Sequence, residues 1–219
     1  PEGYHFGAHV VVIAGYDAER RQVLLADRDA ALHPVDWEVL EQARGSKFRP
    51  FPPLHKWFEF DFSNARPPTS DEVRQAIGEV CAGMLQPPIA NLGVKGIRKA
   101  RVETLRWPKV LAPEALRRTC ASVAMFIDAR GGTGGGIFRY MYARFLAEAA
   151  AILQEPRLAA MAPDLTAIGD RWEQVAAAFT RAAAARDPAD SLDEATAQLP
   201  EIADREEAFW EGLAERVAS

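Results

Sequence analysis

Two short aliphatic runs, His9-Val10-Val11-Val12-Ile13-Ala14 and Gln22-Val23-Leu24-Leu25-Ala26, flank a charged stretch that holds Gly15, Asp17 and Glu19-Arg20-Arg21. A helix needs apolar residues at three- and four-residue spacing. These runs are continuous and β-branched, as strands covered on both faces are. Turn-forming residues between them make an antiparallel hairpin the expected arrangement. A third segment, Trp57 to Phe62, alternates strictly, with Phe58, Phe60 and Phe62 on one side and Trp57, Glu59 and Asp61 on the other. It predicts a third strand whose phenylalanine face is core. Between these runs, Pro34 to Arg44 reads as a short helix and Pro50 to Pro53 as a Pro-rich connection.

After Pro67-Pro68 the period becomes helical. Val73, Ile77, Val80, Cys81, Met84 and Leu85 form a stripe behind a Thr69/Ser70 cap, and Pro87-Pro88 stops it. Further stripes run through Leu116, Cys120, Val123 and Ile127, then Phe138, Met141, Phe145, Ala149 and Ile152. Others join Leu165, Ile168, Trp172, Val175 and Phe179, and lastly Ile202, Phe209, Leu213 and Val217. The Ala-rich, acidic end from Asp187 onward reads as a loosely attached helical hairpin. Strands followed by a helical array define an α+β chain: a small antiparallel sheet over residues 1–65, then a mainly helical domain over 66–219.

Composition narrows the function. With 48% hydrophobic and 26% charged residues the chain is globular, and its net charge of −5 argues against nucleic acid as the main partner. The charge is uneven: Lys95 to Arg118 holds eight Lys/Arg against Glu103 and Glu114, so it nets +6 and leaves −11 for the rest. Cys81 and Cys120 fall in helical, apolar settings and read as buried thiols of a reducing, cytoplasmic compartment. No run approaches the length of a membrane span. Pro1 stands where an initiator Met is absent, which reads as a processed or excised piece. A chain that starts just before a buried strand exposes a sheet edge, so self-association into homo-oligomers is expected.

The hairpin permits a geometric inference. A loop centred between residues 18 and 20 sets His9 opposite residues 27 to 31, and Asp27 and Asp29 share one strand face. A carboxylate beside His9 would fix the imidazole's tautomer and orientation, leaving the other nitrogen to take a proton from a nucleophile. The same residues also fit a histidine hydrogen-bonded at a strand end with no further role. His5, His9 and Asp27 offer N and O ligands, but nothing supplies an obvious fourth protein ligand, and no metal is expected. His33 and His55 sit in Pro-flanked loops and suggest no role.

The string Gly7-Ala8-His9-Val10-Val11-Val12-Ile13-Ala14-Gly15-Tyr16-Asp17, with Leu24-Leu25-Ala26-Asp27-Arg28, resembles the papain-like fold of bacterial cysteine hydrolases and acyltransferases. Within it, the chain is most similar to the butirosin biosynthesis protein H-like family of secondary metabolism. Gly93-Val94-Lys95-Gly96-Ile97-Arg98-Lys99, Trp107-Pro108-Lys109 and Gly131-Gly132-Thr133-Gly134-Gly135-Gly136-Ile137-Phe138-Arg139 resemble the helical domain of unknown function that follows in those proteins. The likeness covers roughly residues 5 to 185.

That resemblance implies acyl transfer through a cysteine, from the thioester of an acyl carrier protein to an amine of a small natural product or peptide. His9 would be the general base and Asp27 its orienting partner. In such proteins the nucleophile precedes the hairpin, and neither Cys81 nor Cys120 lies in a matching motif. No cofactor is expected to bind directly; the carrier's phosphopantetheine is the substrate arm. Gly134, Gly135 and Gly136 lead into a helix whose amides suit an anion such as that arm's phosphate, with Arg139 nearby. A tight turn between helices fits the glycines equally well. The basic stretch Lys95 to Arg118 suits an acidic carrier protein, or is an ordinary solvated face. Two other functions fit the same residues: a non-catalytic module that binds a carrier or partner, and a cysteine peptidase.

Overall fold

A computed structural model of the chain describes residues 9–27, 30–49, 51–129 and 134–218. It is α+β, with a three-stranded antiparallel sheet followed by helices. Two compact units are formed, Pro1–Arg66 and Pro67–Ser219.

In the first unit, β1 (Val12–Asp17), β2 (Gln22–Ala26) and β3 (Leu32–Asp36) lie in the order β1-β2-β3, and α1 (Trp37–Arg44) follows. The β1–β2 turn is made by local chemistry. Asp17 Oδ1 accepts the backbone N–H groups of Glu19 and Arg20, both at 3.0 Å, and Arg21 takes φ +54 before Gln22 pairs with Asp17. The register shifts between Ile13 and Gly15, a bulge at Ala14.

Three features of this unit differ from expectation. β1 begins at Val12, not His9, and Val10, Val12 and Ile13 are exposed rather than covered on both faces. Leu32–Asp36 is a strand, and α1 starts only at Trp37. Pro34 hides this strand from a propensity reading, yet β3 is an edge, where a missing N–H is tolerated. Trp57 to Phe62 joins no sheet, and Phe58, Phe60 and Phe62 are 71%, 76% and 73% exposed rather than core. β2, at the sheet's centre, already has a neighbour on each side, and alternation reports where side chains point, not whether a ladder exists. Among the described residues of this unit, the buried hydrophobic ones are Val23 and Leu40.

The second unit is helical: α2 (Ser70–Leu85), α3 (Gly93–Thr104), α4 (Pro113–Ile127), α5 (Gly136–Leu153), the short α6 (Pro156–Ala159), α7 (Ala162–Ala184), the short α8 (Leu192–Thr196) and α9 (Leu199–Ala218). α2 starts at a capping box in which Thr69 Oγ1 and the Glu72 carboxylate satisfy each other's backbone N–H. At the α2–α3 turn Gly93 takes φ +56, and a Cβ there would overlap the carbonyl oxygen of Met84. α7 is central and packs on α4, α5, α8 and α9. Its stripe Leu165, Ile168, Trp172, Val175 and Phe179 is buried throughout.

The phase of α5 differs from expectation. Ala143, Leu146, Ala149, Ala150 and Leu153 face the core, while Phe138, Met141 and Ile152 remain exposed. This helix is apolar nearly all round, so its period does not select a face; its alanines and leucines fill the core, and Tyr142 joins them edge-on to Trp210 of α9. The C-terminal segment is not loosely attached. Leu192, Ala195, Leu199, Ile202, Ala203, Phe209, Trp210 and Leu213 belong to the same core as α2 and α7, and α9 packs on α2, α3 and α7. Its acids are largely committed: Asp193 to Arg101, Glu194 to Arg181, Glu201 to Arg171 and Arg205, and Asp204 and Glu207 to Arg98. No helix among the described residues is long and apolar enough to cross a membrane.

Candidate functional site

Asp27 directly follows β2, and His9 precedes β1 on the neighbouring, outer side of the sheet. The hairpin brings them together: His9 Nε2 lies 3.1 Å from both Asp27 Oδ1 and Oδ2. An ionised carboxylate only accepts, so this geometry puts the ring proton on Nε2 and assigns any base role to Nδ1. The side chains are 39% and 33% exposed. Asp29 and His5 lie outside the described residues. Among those described, no cluster of three or more His, Cys, Asp or Glu is positioned to hold a metal ion.

Neither cysteine belongs to the hairpin's unit. Cys81 on α2 and Cys120 on α4 are free thiols buried in the core of the second unit. Burial pushes the Cys81 thiol up to about 11 and raises that of Cys120, so neither is a thiolate at neutral pH.

At the glycine-rich string, Gly131, Gly132 and Thr133 lie outside the described residues, while Gly134, Gly135 and Gly136 pass closely between helices. Gly135 takes φ +54, and a Cβ on it would sit 2.7 Å from Ile127 O. A Cβ on Gly136 would sit 2.5 Å from Glu173 Oε1, which accepts the Ala129 N–H at 2.9 Å. A carboxylate from α7 thus stands where an anion at the start of α5 was expected. Arg139 departs outright from its expected role. Its Nε and Nη2 donate to the two oxygens of fully buried Glu206, each at 2.8 Å, and its guanidinium lies over the Trp172 ring. It serves the core rather than a phosphate.

The other imidazoles, to which spacing assigned no role, do not both sit in loops. His33 is on β3, opposite Leu25. His55 takes φ +53, donates its backbone N–H to Arg44 O, accepts Arg44 Nη2 at its own carbonyl and sets Nδ1 3.3 Å from Glu41 Oε1 on α1. With Arg21, Trp37, Glu38, Gln42 and Gly45 it lines an open cleft of about 540 Å³. Arg21 holds the Glu38 carboxyl below its ordinary range. The cleft sits at the turn end of the hairpin, about 20 Å along β2 from Asp27. No spacing rule pairs His55 with Glu41, because the link runs through an irregular Pro-rich passage.

A family model described as a domain of unknown function (DUF4872) matches residues 38–213. The chain belongs to this family. The DUF4872 match starts in α1 and ends in α9, so the basic stretch, the Arg139–Glu206 pair and the His55–Glu41 contact fall inside it, whereas Arg21 and Trp37 of the cleft precede it. The hairpin with His9 and Asp27 precedes it. No curated protein and no solved structure matches the chain.

Proposed function

We propose that the chain is the base-bearing part of a cysteine-dependent acyltransferase that moves an acyl group from an acyl carrier protein to an amine of a small natural product or peptide. The observation that carries this reading is the symmetric contact of His9 Nε2 with both Asp27 oxygens at 3.1 Å. A ring held on that side is oriented for proton transfer at Nδ1. The thiolate belongs to polypeptide outside these 219 residues, since Cys81 and Cys120 are buried.

In this mechanism His9 takes the thiol proton and the sulfur attacks the carrier's thioester carbonyl. The carbon–sulfur bond to phosphopantetheine breaks, and the leaving thiolate takes the proton from the imidazolium. The acceptor amine then attacks the acyl-cysteine, His9 removes its proton, and the cysteine is released. The carrier's phosphopantetheine is the substrate arm; no resident cofactor is needed.

Intact mass of the longest expressible form, upstream residues included, tests the reading after incubation with an acyl-loaded carrier protein. An acyl gain on an upstream cysteine that disappears in His9→Ala supports it. No gain while the carrier still binds favours the second reading, a non-catalytic carrier-binding module, for which the burial of both cysteines speaks.

A further inference from the structure

The basic stretch divides once its contacts are known. Val94, Ile97 and Thr104 turn α3 into the core, and Arg98 and Arg101 on its flanks are neutralised by Asp204, Glu207 and Asp193. Arg117 donates to the carbonyls of Ala183 and Ala185, and Arg118 pairs with Glu114. What remains is an outward stripe. Lys95, Lys99 and Val102 recur at the spacing of one helix face, and Arg106 stands at the next position of that spacing. Lys109 and Val110, at and just after the 3-10 turn Trp107–Lys109, follow it in the chain. All six residues are exposed, Val110 at 76%. Lys99 is steadied by Asn91, and the acid on this side, Glu103, pairs with Arg106.

We propose that this stripe is the docking surface for a single acidic helix of the carrier protein, an inference that rests on the acyl-transfer reading for the partner's identity. Four cations against one acid select a negative partner by charge. From Lys95 to Arg106 the stripe runs about 16 Å, the length of a short helix. Val102 and Val110, with exposed Leu105 beside them, supply apolar contact at its centre and end. Nucleic acid is a poorer fit, because the chain's net charge of −5 opposes a long polyanion and the stripe offers no aromatic platform. A bilayer is a poorer fit because small aliphatic side chains anchor weakly.

The test measures Kd between the 219-residue chain and a phosphopantetheinylated acyl carrier protein by fluorescence anisotropy, at low and high salt. Lys95→Glu/Lys99→Glu/Lys109→Glu should weaken binding about tenfold or more and flatten the salt dependence. The matching triple Lys→Arg variant and the off-stripe Arg157→Glu should bind as the parent does. An unchanged Kd in the Glu triple overturns the proposal, as does an equal loss in Arg157→Glu or tighter capture of duplex DNA or phosphatidylserine vesicles through the same lysines. Acyl transfer by the longest expressible form separates the two ideas. Charge-sensitive docking without transfer keeps the stripe and removes the acyltransferase reading, whereas undiminished transfer at limiting carrier in the Glu triple does the reverse.

Discussion

Arg139 and Glu206, 67 residues apart, meet as a bidentate pair between α5 and α9, and the indole N–H groups of Trp172 and Trp210 donate to the same carboxylate. Every oxygen of this buried group is thereby satisfied from three helices. Removing one member strands the other in low dielectric, so Glu206→Met or Arg139→Met should lower unfolding stability by about 3–5 kcal/mol. The double variant Arg139→Met/Glu206→Met should lose clearly less than the sum of the singles. Urea unfolding of all the variants checks this.

The His9–Asp27 pair should behave oppositely, because both side chains are partly exposed. On the acyl-transfer reading, Asp27→Asn in the longest expressible form should cut transfer roughly a hundredfold to ten-thousandfold, through loss of the correct tautomer, while shifting stability by no more than about 0.5 kcal/mol. Steady-state transfer and thermal unfolding, measured on the same preparations, separate function from fold.

The core thiols make stability depend on alkaline pH. Cys81 rises from 9.0 to about 11 on folding, so between those values the native state holds a proton that the unfolded chain has lost. Stability is therefore full below pH 9 and falls as pH climbs through about 11, by roughly 2–3 kcal/mol. Cys120 and the Tyr142 hydroxyl, both also raised by burial, act in the same direction. Urea midpoints at pH 8 and pH 10.5 should differ accordingly, and Cys81→Ala should shrink the difference.

Two glycines ten residues apart should respond with opposite sign. Gly83 lies inside α2 with open space where a methyl group would stand, so Gly83→Ala should stabilise by about 0.5–1 kcal/mol. Gly93→Ala forces a left-handed backbone and a collision with Met84, and should destabilise by more than that. Differential scanning of the pair reads the sign directly.

Exposed Phe58, Phe60 and Phe62, in the same unit as a sheet whose β1 has no outer neighbour among the described residues, should make the chain self-associate. Light scattering should show mass rising with concentration, and less so for Phe58→Ser/Phe60→Ser/Phe62→Ser. A stable monomer at every concentration would sink this expectation.

Locally encoded features were legible in the sequence. β2 and the capped α2 follow from pattern and cap residues alone, and the hairpin register foretold a carboxylate beside His9. Features decided by distant partners were not. Pro34 disguised β3, and the phenylalanine alternation carried no information about a neighbour to pair with. Ala-rich α8 and α9 looked weak because alanine adds little hydrophobicity, although it lets helices pack closely. Likewise Arg139 looked available to an anion because Glu206 lies far along the chain.

The family match opens at Glu38, inside α1, whereas the helical unit opens at Pro67. The stretch from Glu38 to Arg66, His55 included, is therefore inherited with the helices but folds with the hairpin. A chimera spliced at the physical seam would part that stretch from its evolutionary companions, and one spliced at the hereditary seam would cut through α1. Recombination can exchange the hairpin cleanly only if it carries α1 and the aromatic segment along with it.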